Sequence, residues 1–165
     1  MGPGENASPD GNEMAYDLGK EIASQGWITL TGGRSFGIMH AALRGALEAG
    51  GLTIGIVPGD NDKNSSDHAQ IKIVTSMGSG RNYISVLTSH VIVVLGMASG
   101  TASEVALALK SRKKVILLNQ DEITIRFFKN LGSFNVIVTK TVPETIQHIK
   151  QYVGMNQGIE IRDES

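Results

Sequence analysis

Apolar residues along this chain fall into two alternating patterns. Short continuous runs rich in Val, Ile and Leu are separated by stretches in which apolar positions recur every three or four residues. Met14, Leu18 and Ile22 sit at four-residue spacing, which predicts a helix over about residues 10–25, stopped by Gly26. Residues 27–31 read as a strand, 32–37 as a loop and 38–49 as a helix closed by Gly50-Gly51. Strands are expected at 52–57, 71–74, 91–95, 115–118 and 136–138. Helices are expected near 81–89, after Gly100, near 122–130 and from about 143 to 153, with Pro143 in the first turn of the last.

Repeated strand–helix alternation implies an α/β fold: a three-layer, Rossmann-like, mostly parallel sheet with helices on both faces. The chain reads as one domain over residues 1–153, followed by a polar tail over 154–165 that is expected to be loose. In such sheets ligands bind at the carboxyl ends of the strands. Every glycine-rich loop follows a strand on that side except Gly2-Pro3-Gly4-Glu5, which opens the chain. A strand would ordinarily precede such a loop, so the expectation is that the first strand lies outside this sequence.

Composition narrows the chemistry. Glycine accounts for 20 of 165 residues, above an average of about 7%, and many of these glycines sit where apolar runs end. The net charge of −1 argues against a nucleic-acid surface, which carries a basic excess. The absence of cysteine excludes disulfides, thiolate metal sites and a cysteine nucleophile. No apolar run approaches the ~20 residues of a membrane span, and the opening residues carry no secretory signal pattern, so a cytoplasmic protein is expected. His40, His68, His90 and His148 lack metal-ligand spacing, and no metal site is expected. Neither a P-loop nor a Gly-x-Ser-x-Gly elbow is present.

Three loops carry candidate chemistry. Gly96-Met97-Ala98-Ser99-Gly100-Thr101-Ala102-Ser103-Glu104 runs from a strand into a helix. Its small residues let backbone N–H groups approach an anion where the helix dipole adds positive charge. Gly100 and Thr101 are the expected phosphate donors, with Ser99 and Ser103 adding more, and Glu104 is either a hydrogen-bond acceptor for ligand or a catalytic carboxylate. An acidic first helical turn is the plain alternative. Gly32-Gly33-Arg34-Ser35-Phe36-Gly37 permits close ligand approach or forms an ordinary turn. Gly78-Ser79-Gly80-Arg81-Asn82 places Arg81 at a helix start, where dipole complementarity does not favour a cation. A polar or anionic ligand facing the guanidinium accounts for it, as does a plain surface arginine. The polar stretch Asp60–His68, also after a strand, is either solvated or a lid.

These segments resemble a known superfamily. Thr31 to Met39, followed by Ala41-Ala42 and Ala46 to Gly51, is similar to the first glycine motif of the Lonely Guy (LOG) proteins, often labelled lysine decarboxylases. Met77 to Asn82 is similar to their Met-x-x-Arg-Lys segment, and Gly96 to Glu104 to their Pro-Gly-Gly-x-Gly-Thr-x-x-Glu motif. The resemblance covers nearly the whole domain in the same order. It implies cleavage of the base from a nucleoside 5′-monophosphate, with Arg81 and Glu104 catalytic. Asn82 replaces the motif lysine, however, and Gly96-Met97-Ala98 replaces Pro-Gly-Gly.

The opening Gly2-Pro3-Gly4-Glu5, with Gly78 to Asn82 and Gly96 to Thr101, more closely resembles the molybdenum cofactor carrier proteins, the non-catalytic branch of that superfamily. This resemblance implies a homodimer or homotetramer that stores molybdenum cofactor (molybdopterin) as cargo and passes it to apo-molybdoenzymes without turnover. Phosphate or sulfate would stand in for absent cargo. The residues expected to hold it are Gly32, Gly33, Arg34, Ser35, Gly80, Arg81, Asn82, Gly96, Ser99, Gly100, Thr101 and Glu104. A LOG-type phosphoribohydrolase and a non-catalytic nucleotide-binding module remain the alternatives. The helix near 81–89, with Tyr83, Ile84, Val86 and Leu87, is more apolar than one buried face requires, which suggests a subunit interface or a doubly covered core.

Overall fold

The computed structural model describes residues 1–157. Helix α1 spans Pro9–Ser24, strand β1 Thr29–Thr31, α2 Gly37–Glu48, β2 Thr53–Val57 and β3 Ile71–Val74. Helix α3 spans Arg81–Thr88, β4 Val91–Leu95, α4 Ser99–Lys110, β5 Lys114–Leu118, α5 Glu122–Gly132, β6 Val136–Thr139 and α6 Val142–Gln157. The expected elements are all present, and α6 continues four residues past the expected end at 153. The remainder of the expected tail, 158–165, lies outside the described residues.

The strands form two wholly parallel three-stranded sheets, β1-β2-β3 and β4-β5-β6. Residues Val91, Val93 and Leu95 of β4, with Ile116 and Leu118 of β5, pack with α1 and α6. The alternate residues Ile92, Val94, Val115 and Leu117 pack with Val86 of α3, Val105 of α4 and Phe128 of α5. A period of two therefore sends successive side chains into separate cores, which is why these strands are apolar throughout. β3, at an edge, differs: Ile71, Ile73 and Val74 are each 44% exposed.

Two placements matter for the site. Helices α1 and α2 touch backbone to backbone. A Cβ on Gly19 would strike the Ala42 carbonyl, and one on Gly45 the Tyr16 carbonyl. This contact fixes α2, whose start borders the ligand-side cleft. The opening segment lies along β4 on the side away from β5, where the Leu95 N–H donates to the Met1 carbonyl at 2.9 Å. Among the described residues no helix is long and apolar enough to cross a membrane.

Candidate functional site

A cleft of about 410 Å³ opens at the carboxyl ends of the strands. The loops that follow β1, β2, β3 and β4 contribute to it, together with the opening segment.

Arg81 and Glu104 lie at its base, 5% and 8% exposed. Arg81 starts α3, and its guanidinium rests on the backbone of Gly32, where a Cβ would stand 2.7 Å from Cζ. Gly32 is thus a glycine because an arginine occupies the space of its side chain. The Arg81 Nη1 donates to Glu104 Oε1 at 3.3 Å and to Asn82 Oδ1, while its Nε is buried with no protein partner. Burial pushes the Glu104 carboxyl above its ordinary range, against the opposing pull of the Met1 amino group and Arg81. Burial likewise lowers the Arg81 pKa, with Glu104 partly restoring it. Both shifts record the cost of enclosing charge. An anionic ligand near Arg81 would relieve its side of that cost, and the guanidinium lines the cleft where such a ligand would sit.

Helix capping divides by position. The Ser8 hydroxyl caps α1, accepting from Gly11 N–H, and the Asp121 carboxylate caps α5, accepting from Thr124 N–H. Helices α2, α3 and α4 have no side-chain cap. At α2 the Pro3 carbonyl takes the Ile38 N–H at 3.1 Å. At α4 the N-cap is Ala98, and Ala98, Gly100 and Thr101 all line the cleft. An uncapped start leaves N–H donors for an anion, and Gly100 leaves open space beside them, since a Cβ there would meet no atom within 4 Å.

Of the residues expected to hold a ligand, Arg34, Arg81, Asn82, Gly100, Thr101 and Glu104 line this cleft. Gly32, Gly33, Ser35, Gly80, Gly96 and Ser99 are not part of its lining. Gly33 (φ +71°) instead allows β1 and β2 to approach, because a Cβ would lie 3.2 Å from Gly55 Cα, and its carbonyl accepts from Ser66 N–H. Gly96 (φ +72°) faces Pro3, which would stand 2.9 Å from its Cβ. Ser35 and Ser99 are exposed beside the lining, and Gly80 belongs to the short turn that starts α3. Gly32, Gly33 and Gly96 are thus each explained by packing, whereas Gly100 faces the cleft with open space.

The cleft also contains residues that were not among those expected to hold the ligand: Gly2, Pro3, Gly4, Glu5, Asn6, Phe36, Met39, Pro58, Gly78, Ser79 and Ala98. The signal for the first of these was the glycine-rich Gly2-Pro3-Gly4-Glu5. The polar stretch 60–68 does not line the cleft; it is tied down through Ser66 to Gly33 and to His40, whose Nδ1 lies 3.0 Å from Ser66 Oγ. Among the described residues, no group of three or more His, Asp or Glu side chains is arranged to hold a metal ion.

The SLOG cluster4 family matches residues 1–146. The molybdenum cofactor binding protein from the phototrophic bacterium Rippkaea orientalis superposes with a TM-score of 0.91 at 48% identity, over 93% of this chain and 94% of that one. The molybdenum cofactor carrier protein from Chlamydomonas reinhardtii superposes with a TM-score of 0.89 at 47% identity, over 93% and 95%. An uncharacterized protein of Archaeoglobus fulgidus is 41% identical over 105 residues, 64% of this chain and 68% of that protein.

Proposed function

From the premise that this chain belongs to the SLOG cluster4 family, we propose that it binds, stores and hands on molybdenum cofactor without chemical turnover. The observation that carries this reading is the composition of one cleft. The uncapped start of α4 at Ala98–Thr101 suits a terminal phosphate, and the Arg81 guanidinium lining the same cleft suits an anionic or polar group beside it. Two solved structures near 48% identity, described as a molybdenum cofactor binding protein and a molybdenum cofactor carrier protein, support the same ligand.

In this reading Gly100 and Thr101 hold the phosphate, while Arg34, Arg81 and Asn82 face the ligand's polar groups. Glu104 holds Arg81 in place and orients the cargo. The cofactor brings its own dithiolene to the metal, so a chain without cysteine can carry it without forming a protein–metal bond that would slow release. Recipients would be apo-molybdoenzymes in the cytoplasm.

The neighbouring Arg81 and Glu104 also support a second reading, a nucleoside 5′-monophosphate phosphoribohydrolase. Such an enzyme would use Glu104 on the ligand, and here one oxygen of its carboxylate accepts from Arg81 while the residue lines the cleft. The test is to express the full chain in a host that makes the cofactor and identify what co-purifies by mass spectrometry and absorption. The protein is then offered AMP and assayed for free base. Co-purified cofactor and no base release are expected. Base release abolished by Glu104→Ala, with no cofactor bound, would replace the carrier reading with the hydrolase.

Self-association as a homodimer or homotetramer is part of this proposal, and the exposed side of the α3–α5 layer supports it. Tyr83 and Leu87 of α3 are 44% and 48% exposed, while Val86 on the other side of that helix is fully buried. On α5 the spacing of Ile123, Phe127 and Leu131 places them on one outward stripe, with Phe134 just beyond. Apolar groups clustered this way mark an interface more often than bare surface.

A further inference from the structure

We propose that Glu5, held on the Gly2–Asn6 loop, reads the 2-amino-4-oxopyrimidine edge that pterins and guanine share. The inference deepens the carrier reading and rests on it for the pterin half.

Its basis is how firmly this loop is built into the cleft wall. Pro3 packs on Gly96 just ahead of α4, in a space that a Cβ at Gly96 would invade. Gly37 (φ +66°) clears the way for the Gly4 and Pro3 carbonyls, and the Pro3 carbonyl accepts from Ile38 N–H. Gly4 in turn rests on Phe36, whose ring carbon Cε2 would stand 2.6 Å from an added Cβ. The Gly4 carbonyl closes the loop by accepting from Ala7 N–H at 3.2 Å. Glycines on three separate segments are thus committed to placing one short loop. The path runs from the phosphate-suited start of α4 toward Phe36, and Glu5 comes next.

Glu5 lines the cleft and is exposed, and no ion pair among the described residues engages it. Phe36 lines the same cleft with the Arg34 guanidinium 5.8 Å from its ring centroid. An aromatic face beside a carboxylate is a combination suited to a flat heterocycle, one taking the ring face and the other its donor edge. A carboxylate offers two acceptor oxygens. The pterin and guanine edge offers two adjacent donors, the exocyclic amino group and the ring N–H, which match them. Adenine pairs its amino group with a ring-nitrogen acceptor, which repels the second oxygen. In this assignment the start of α4 takes the phosphate, and Glu5 with Phe36 takes the heterocycle.

The test is calorimetric titration of the full-length protein and of Glu5→Ala and Glu5→Gln with molybdenum cofactor, GMP, AMP and inorganic phosphate, with the melting temperature as the folding control. The wild type is expected to bind cofactor and to prefer GMP over AMP. Glu5→Ala should lose roughly tenfold to a hundredfold in cofactor affinity, as for a hydrogen bond to a charged group, with phosphate binding unchanged. Glu5→Gln should fall between. Folded variants that bind cofactor as the wild type does would overturn the assignment and leave the carrier reading intact. A wild type that ignores cofactor yet shows a Glu5-dependent preference for GMP would keep the edge assignment and overturn the carrier reading. Equal binding of GMP and AMP without cofactor binding would overturn both.

Discussion

Replacing Gly32 with alanine tests whether Arg81 is held by the backbone beneath it. The new Cβ would stand 2.7 Å from Arg81 Cζ and 2.8 Å from Nη1. Comfortable contact between such atoms begins near 3.5 Å, so the guanidinium must retreat by about 1 Å. Its bond to Glu104 is already 3.3 Å long, beyond the usual N–H···O range, and the shift would break it. Losing a buried hydrogen bond between charged groups costs about 1.5–3 kcal/mol. Against this, alanine restricts the unfolded chain and returns about 0.4–1 kcal/mol, because Gly32 is not in the left-handed region. The net expectation is a loss of about 1–2 kcal/mol, or roughly 2–8 °C in melting temperature for a chain of this size. Urea and thermal unfolding would measure it, with Gly154→Ala as control. There an added methyl meets open space on a helix, and the change should stabilise slightly. If Gly32→Ala matches the wild type in both stability and cofactor affinity, Arg81 is not positioned by this contact.

Three further predictions follow from the same geometry. Thr101→Ala, at a buried position lining the cleft, should weaken cofactor or phosphate binding by about 0.5–1.5 kcal/mol; unchanged affinity in a titration would place the anion elsewhere. Burial raises the Glu104 pKa above its ordinary 4.5, so the stability this group contributes is full below that value and is lost as pH rises through the folded-state pKa. The stability of wild type relative to Glu104→Gln should therefore fall as pH rises above the ordinary carboxyl value of 4.5, and a pH-independent difference in chemical unfolding would contradict the burial argument. Phe127→Asp, at a residue 57% exposed on α5, should lower the mass measured by light scattering while changing protomer stability by no more than about 0.5 kcal/mol; an unchanged mass would remove α5 from the interface.

Much of the fold is legible in the sequence. The runs at β4 and β5 are apolar at every position, which only a sheet covered on both faces tolerates, and their alternate residues do enter two separate cores. Gly26 (φ +73°) stops α1 as expected. The strand β3 was legible too, but not its exposure: its sequence is as apolar as that of a central strand, and position at the edge is a property of topology.

The site was legible in part. Arg81, Gly100, Thr101 and Glu104 could be picked out because a cation at a helix start and a small-residue run into a helix are locally anomalous, and all four line the cleft. The glycines were harder to interpret, since sequence reveals that a side chain is missing but not what fills its place. For Gly32 it is the Arg81 guanidinium, for Gly33 the neighbouring strand, and for Gly96 Pro3.

By itself, then, the sequence determined the alternation of strands and helices, the parallel sheet and the small-residue loop before α4. These follow from local periodicity and backbone preference, which act over a few residues. Tertiary structure alone decided that Glu104 would be bound to Arg81, 23 positions away, and that Glu5 and Phe36 would share a wall with the start of α4. Those pairings depend on crossover connections and on backbones meeting at Gly37 and Gly96, where the space available is set by partners distant along the chain.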